Sequence, residues 1–332
     1  MVQTFLKLLS KIDGFVFSIF CVVTIAYYFP AFGLQEDPFS LEEIANYGVS
    51  ITFFFYGLKL NIEKLKVGLA NWHMHLVIQF TTFVLFPILL ILAKPLFQSA
   101  HYQQLWLGLL FLAALPSTVS SSVVMTSIAG GNVPSAIFNA SLSSLIGLFL
   151  TPIWVGLFIL SGDASFDASA IAMKLTYQVL LPVTLGMLLN PKWGDWAERN
   201  KTKLTRFDQS VLLIIIYTSF AKSFTNNVFS IYSSTELIAL GIGLFGLLCC
   251  VLFATFKISS LLKFNHADTI TTVFCSSKKS LVHGTVMSKI LFAGSPVAGI
   301  LLLPIMMYHA IQLLVTSIIA RRIADADSSS YK

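Results

Sequence analysis

Two short polar stretches, PSTVSSS at residues 116–122 and FCSSKKS at residues 274–280, interrupt sequence that is otherwise strongly apolar. The run LWLGLLFLAAL precedes the first stretch, and ILLLPIMM follows the second. Hydroxyl groups and adjacent lysines are costly in apolar surroundings unless they bind something. The two stretches therefore mark a candidate site, and the sequence around them decides the fold.

The composition requires a lipid environment. Of 332 residues, 56% are hydrophobic and 11% are charged, which indicates a polytopic membrane protein whose main partner is the lipid bilayer. The net charge of +6 does not indicate nucleic acid, because the cations collect in short loops where they orient the chain during insertion. The four cysteines lie in or beside apolar runs and form neither a disulfide framework nor a metal motif.

Apolar stretches of membrane-spanning length predict an all-α membrane protein with ten transmembrane helices. The predicted spans lie near residues 13–30, 41–60, 72–94, 103–128, 133–158, 168–189, 208–225, 235–260, 267–292 and 296–319. The run PKWGDWAERNKTKLTRFD at residues 191–208 is the only long charged connection within the hydrophobic body, and we interpret it as a cytoplasmic loop.

Loop charges predict the orientation of the chain. One set of loops holds most of the cations, namely Lys64, Lys66, Lys192, Arg199, Lys201, Lys203, Arg206, Lys263, Arg321 and Arg322. The opposite loops hold Glu36, Asp37, Asp163 and Asp167, with Lys94 as their one clear cation. By the positive-inside rule, both termini are cytoplasmic, and we expect an integral protein of a bacterial inner (plasma) membrane.

Similar residues recur along the chain at a nearly constant offset in residue number, which predicts an internal repeat. The two repeats are residues 1–160 and 161–332, and together they form a single transporter unit, residues 1–332. The matched pairs are Pro30 with Pro182, Tyr56 with Tyr217, Pro152 with Pro304, and Ser121 with Ser276. Five spans in each copy is an odd number, so the second copy inserts upside down relative to the first. Inverted repeats with interrupted helices are typical of secondary transporters.

The polar stretches supply the candidate binding residues. Pro116 is expected to break the fourth span and free backbone groups that lipid cannot satisfy but a bound ion or substrate can. The alternative is that Ser and Thr simply permit close helix packing or join helices, as Asn139 and Ser143 would on one face of the fifth span. The candidate ion- or substrate-binding residues are Ser117, Thr118, Ser121, Ser122, Asn139, Ser143, Ser276, Ser277, Lys278 and Lys279.

Lys278 and Lys279 lie near the centre of the ninth span, where each costs about 2.5 to 3.5 kcal/mol to insert. No Asp or Glu lies deep in any predicted span. The lysines must therefore rely on carbonyls, hydroxyls, water or an anionic ligand, or lose their protons. The alternative is that they fill a polar cavity for structural reasons alone.

At these residues the chain resembles a known family. The pattern PxxVSSxVxxTxxxGGNxxxAIFN at residues 116–139 and FCSSKKSLVHGTVM at residues 274–287 resemble the SBF-like branch of the bile acid:sodium symporter superfamily, and the resemblance covers almost the whole chain. It implies discontinuous helices four and nine that cross at mid-membrane. It also implies a core domain, about residues 72–158 and 235–319, that moves against a panel domain, about residues 13–60 and 168–225, with substrate between them.

The resemblance also implies sodium ligands in spans four, five and nine, with Ser121, Ser122 and Asn139 as the candidates. Two features depart from that pattern: Val123 stands where relatives have an asparagine ligand, and VFCSSKK lacks their carboxylate. A nearby ammonium repels sodium, and it can itself occupy the place of a cation. These residues therefore argue against at least one of the sodium sites, while sodium coupling through another site, proton coupling and uncoupled transport all stay open.

The sequence thus predicts a secondary transporter, or symporter, of a small organic anion. The alternative is a membrane regulator that keeps the transporter fold without flux. An enzyme is not expected, because the chain contains no HExxH or GxSxG motif, and Ser and Lys adjacent on a helix point apart. No cofactor other than a coupling ion or proton is expected, and the sequence leaves the substrate, transport direction and oligomeric state open.

Overall fold

A computed structural model of the protein describes residues 14–35, 40–59, 71–159, 173–174, 176–293 and 295–330, and the regular structure in these ranges is helical. The helices are α1 (Gly14–Tyr28), α2 (Pro30–Leu34), α3 (Leu41–Lys59), α4 (Trp72–Phe80), α5 (Phe86–Leu92), α6 (Ala100–Ala114), α7 (Ser120–Ile128), α8 (Val133–Ile159), α9 (Leu181–Arg199), α10 (Lys201–Thr225), α11 (Ser234–Leu261), α12 (His266–Ser276), α13 (Leu281–Leu291) and α14 (Ala298–Ser330). A π-helical segment, Thr81–Leu85, joins α4 to α5, and another, Thr176–Leu180, precedes α9. The predicted all-α class is confirmed.

The outer surface is apolar, as a membrane protein requires. In the part of the chain described above, four helices are long and apolar enough to cross a membrane by length and composition: Trp72–Leu96, Val133–Phe158, Ser234–Leu261 and Ala298–Ala326. Large apolar side chains such as Phe20, Leu92 and Leu261 are exposed. Because water would not tolerate such a surface, the protein is embedded in lipid. The count of ten spans stays a prediction.

Two predicted spans are interrupted where the polar stretches lie. Helix α6 ends at Ala114 and α7 begins at Ser120, while α12 ends at Ser276 and α13 begins at Leu281. Pro116 lies in the first break and cannot donate a backbone hydrogen bond. The two interruptions predicted from the sequence are therefore present.

The charged run at residues 191–208 is helical, so the prediction of a loop there is wrong. Helix α9 continues to Arg199 and α10 begins at Lys201, which leaves Asn200 as the connection. The Asn200 side chain donates a hydrogen bond to the carbonyl of Trp196 at 2.9 Å. Lys, Arg and Glu favour helices, so a charged sequence marks the end of the apolar segment without ending the helix.

Parts of two predictions concern residues outside the described ranges. One part is most of the first eight residues of the sixth predicted span. The other is the set of charged loop residues Lys64, Lys66, Glu36, Asp37, Asp163 and Asp167. The orientation of the chain in the membrane therefore stays a prediction.

Helices α1, α3, α9 and α10 pack against one another as one group. Helices α3 and α9 approach each other closely, since a Cβ atom on Gly57 would lie 2.1 Å from the carbonyl oxygen of Val183. A Cβ atom on Gly186 would likewise lie 2.2 Å from the carbonyl oxygen of Phe54. Only glycine allows two backbones to pack at this distance.

Candidate functional site

The two helix breaks are in direct contact. The backbone N–H of Ser280 donates to the carbonyl of Pro116 at 2.8 Å. The Ser117 hydroxyl donates to the carbonyl of Cys275 at 2.7 Å, and its N–H donates to Ser143 Oγ at 2.9 Å. The two polar stretches therefore form one buried site, with helix α8 against it.

The hydroxyl groups of the first stretch form a connected cluster. Thr118 Oγ1 lies 2.6 Å from Ser121 Oγ and 3.1 Å from Ser122 Oγ, and Ser122 Oγ lies 3.3 Å from Ser117 Oγ. Ser117, Thr118 and Ser122 are buried. Hydroxyls can donate or accept, so the cluster can reorient its hydrogen bonds when a ligand arrives.

Lys279 is almost completely buried, and its Nζ atom contacts three backbone carbonyls. Its Nζ atom donates to the carbonyls of Thr82 at 2.7 Å, Ala113 at 2.6 Å and Leu115 at 2.9 Å. The same atom lies 4.1 Å from the centroid of the Phe86 ring, within the range of a cation–π contact. This arrangement is the kind of oxygen cage that a bound cation would occupy.

Local backbone breaks free the carbonyls that bind Lys279. Ala113 and Leu115 lie at the carboxyl end of α6, where helix carbonyls lack intrahelical partners and carry partial negative charge. In the π-helical segment, the Phe86 N–H bonds to the Thr81 carbonyl. The next residue, Pro87, has no N–H to offer the carbonyl of Thr82. The Lys279 Nζ atom therefore donates hydrogen bonds to carbonyls that have no partner within their own helices.

The remaining carbonyls around the first break also have partners. The Thr151 hydroxyl donates to the carbonyl of Ala114 at 2.7 Å. The Ser280 N–H donates to the carbonyl of Pro116, as described above. The four carbonyls from residue 113 to residue 116 are therefore all satisfied by groups from other parts of the chain. Such complete satisfaction is what a broken helix in an apolar interior requires.

Lys278 is buried as deeply as Lys279 but has a different environment. Its Nζ atom donates to the carbonyl of Ser121 at 2.7 Å and lies 5.9 Å from the centroid of the Phe274 ring. Among the described residues, Lys278 Nζ therefore has one carbonyl partner, whereas Lys279 Nζ has three.

Helix α14 closes the second break through two residues that the sequence did not single out. The Lys279 N–H donates to Gln312 Oε1 at 2.8 Å, and Gln312 Nε2 donates to the Lys279 carbonyl at 2.9 Å. The Tyr308 hydroxyl donates to the carbonyl of Ser277 at 2.7 Å. The available signal was the spacing of Tyr308 and Gln312, which places both on one face of an apolar helix.

The other predicted residues make separate contacts. Ser277 Oγ bonds within its own helix to the carbonyl of Val273 at 2.8 Å. In the described part of the chain, Ser276 Oγ is buried without a hydrogen-bond partner. Asn139 lies one helical turn from Ser143, and its side chain contacts His75 Nδ1 at 2.7 Å. Ser122 and Asn139 therefore belong to separate hydrogen-bond networks.

Known proteins match the chain over nearly its full length. Residues 13–325 match the family model described as the SBF-like CPA transporter family (DUF4137). The chain is 39% identical over 320 residues to the "Putative symporter YfeH" of Escherichia coli strain K12, covering 96% of this chain and 94% of the relative. It is 34% identical over 314 residues to the "Sodium/bile acid cotransporter 7-B" of Xenopus laevis, covering 92% and 90%. These matches confirm the resemblance carried by the two motifs.

Proposed function

The chain belongs to the SBF-like CPA transporter family, and from that premise we propose that it is a secondary transporter that moves a small organic anion by alternating access. The observation that carries the proposal is the contact between two broken helices through Ser280 and Pro116. Backbone groups freed inside a membrane serve to bind ions and substrates in such transporters. The organic anion is supported by relatives named as sodium/bile acid cotransporters.

The proposed architecture has ten spans in two inverted repeats. The order of helices supports it, since α6 and α7 form a broken fourth span in one half and α12 and α13 form a broken ninth span in the other. The group α1, α3, α9 and α10 would be the panel, and the other spans the core. Movement of the core against the panel would expose the site to each side in turn, and both termini would be cytoplasmic.

For coupling, we propose that the Lys279 ammonium permanently occupies a cation position. Three carbonyls accept from Nζ at 2.6 to 2.9 Å, which matches the three donors of an ammonium, whereas a neutral amine has two. A sodium ion cannot share this cage with the ammonium. Transport would then proceed without sodium at this position, and Ser121, Ser122 and Asn139 stay candidate ligands for a second ion or for the substrate.

Uptake into proteoliposomes tests the proposal. The purified full-length protein would be assayed with radiolabelled taurocholate and with a panel of organic carboxylates and sulfonates. Each anion would be tested with a sodium gradient, with a proton gradient, and with choline in place of sodium. Protein-free liposomes provide the background.

We expect uptake of at least one anion above background, at a rate that choline replacement does not lower. No uptake of any anion under any gradient would contradict transport and favour a regulator that keeps the transporter fold. Uptake that requires sodium would leave the transporter intact but contradict the role given to Lys279.

A further inference from the structure

A polar cavity of about 330 Å³ lies between α3 and α13, away from the crossing of the broken helices. Its described lining consists of Glu42, Asn46, Lys174, Gln178, Lys289 and Ala293. Two ammonium groups and two amides thus surround a single carboxylate. The cavity is large enough for the charged group of a small organic molecule and is lined by groups that bind anions.

An ion pair spans this cavity. Lys289 Nζ donates to Glu42 Oε1 at 2.6 Å. The Lys289 side chain is only 9% exposed, whereas that of Glu42 is 50% exposed. A largely buried ammonium needs an anionic partner, but a half-exposed carboxylate can leave at low cost because water solvates it. The lysine is therefore the fixed member of the pair and the glutamate the replaceable one.

Positive charge around the cavity exceeds what Glu42 neutralises. Lys174 acts electrostatically on the Glu42 carboxylate and on Lys289. Two lysines therefore share one carboxylate among the described residues of the lining. Such an excess concentrates anions at the cavity and favours a second or stronger anionic partner.

We propose that Lys289 and Lys174 form a binding site for the anionic group of the transported molecule, and that the Glu42 carboxylate fills this site in the present structure. The inference rests on the proposed function. The ligand is an organic carboxylate or sulfonate whose oxygens replace those of Glu42, with the amides of Asn46 and Gln178 as further donors. Since Glu42 lies on α3 and Lys289 on α13, ligand binding also releases a contact between the two helix groups.

Direct binding tests this site without requiring transport. Binding of radiolabelled sulfate and radiolabelled taurocholate would be measured on the purified full-length protein. The variants are Glu42→Gln, Lys289→Gln, Lys289→Arg and Lys174→Gln. Lys257→Gln is the matched control, because Lys257 is an exposed lysine that lies over the Phe253 ring on α11. Size-exclusion profiles confirm that each variant is folded.

Glu42→Gln should bind at least one probe about tenfold more tightly than the wild type, because the internal competitor is gone. Lys289→Gln should weaken binding at least about tenfold, Lys174→Gln less, while Lys289→Arg retains it. The proposal is overturned if Glu42→Gln binds neither probe more tightly than the wild type, or if Lys289→Gln binds as the wild type does. Altered binding without any uptake would instead contradict the transporter function, and uptake with unaltered binding in all variants would contradict this site alone.

Discussion

At the scale of single residues, Lys279 shows how a buried charge becomes tolerable in a membrane protein. Its three carbonyl partners come from two separate backbone irregularities, the π-helical segment before Pro87 and the end of α6. The sequence identified the lysine, because an intramembrane charge is conspicuous. It did not identify the partners of the lysine, because every residue has a backbone carbonyl. Only the backbone conformation decides which carbonyls lack a hydrogen bond within their own helix.

Gln312 is expected to hold the second break in place. Replacing it in Gln312→Leu removes the partners of both the N–H and the carbonyl of Lys279, and each buried group left unpaired costs about 1 to 3 kcal/mol. We therefore expect a clearly lower thermal unfolding midpoint in detergent, together with reduced uptake. Gln103→Leu changes an exposed glutamine on α6 and should leave both unchanged. Equal midpoints for the two variants would show that Gln312 does not support the break.

At the scale of helices, the two polar stretches predicted where helices end better than the charged run did. Pro116 and the hydroxyls around it predicted both interruptions, since proline removes a backbone donor and polar groups accompany the freed carbonyls. The charged run at residues 191–208 led to the wrong prediction of a loop. Charged residues end the segment that can face lipid, but Lys, Arg and Glu favour a helical backbone beyond that segment. The π-helical segment Thr81–Leu85 left no signal in the apolar pattern, which does not encode a single wide turn.

The packing of α3 on α9 gives a prediction at this scale. Gly186→Ala would place a Cβ atom 2.2 Å from the Phe54 carbonyl and 2.7 Å from the Leu58 nitrogen, so two backbones must separate. Overpacking of this kind costs about 1 to 3 kcal/mol, and we expect a lower unfolding midpoint. Gly243→Ala is the control, since no atom lies within 4 Å of its Cβ position. If both variants unfold at the wild-type temperature, the close approach of the helices is not as described.

At the scale of the whole molecule, helix α3 makes polar contacts with other helices at separate places. One is the ion pair of Glu42 and Lys289, and another is the cavity of about 40 Å³ whose polar lining residues are Thr52, Tyr56, Lys59, Asp208 and His283. The Lys59–Asp208 ion pair, at 3.2 Å, joins α3 to α10 within one group. Contacts at separate places would suit the proposed movement of the core against the panel.

The names of the relatives raise the question of whether transport by this chain is coupled to sodium. Some are named as sodium/bile acid cotransporters, yet in this chain the Nζ atom of Lys279 lies among three backbone carbonyls where the two helix breaks meet. If that ammonium is the cation, the protein carries its own counter-charge and needs no sodium at this position. Removing it should leave an empty cage that a free cation can enter.

The most direct test is uptake by Lys279→Ala as a function of the external cation, with insertion verified by size-exclusion chromatography and Lys257→Ala as the control. We predict that wild-type uptake is the same in choline and in sodium. We predict that uptake by Lys279→Ala falls at least about tenfold in choline and recovers in part with methylammonium or sodium, which can occupy the cage of carbonyls. Sodium-dependent uptake by the wild type, or wild-type uptake by Lys279→Ala in choline, would contradict the account.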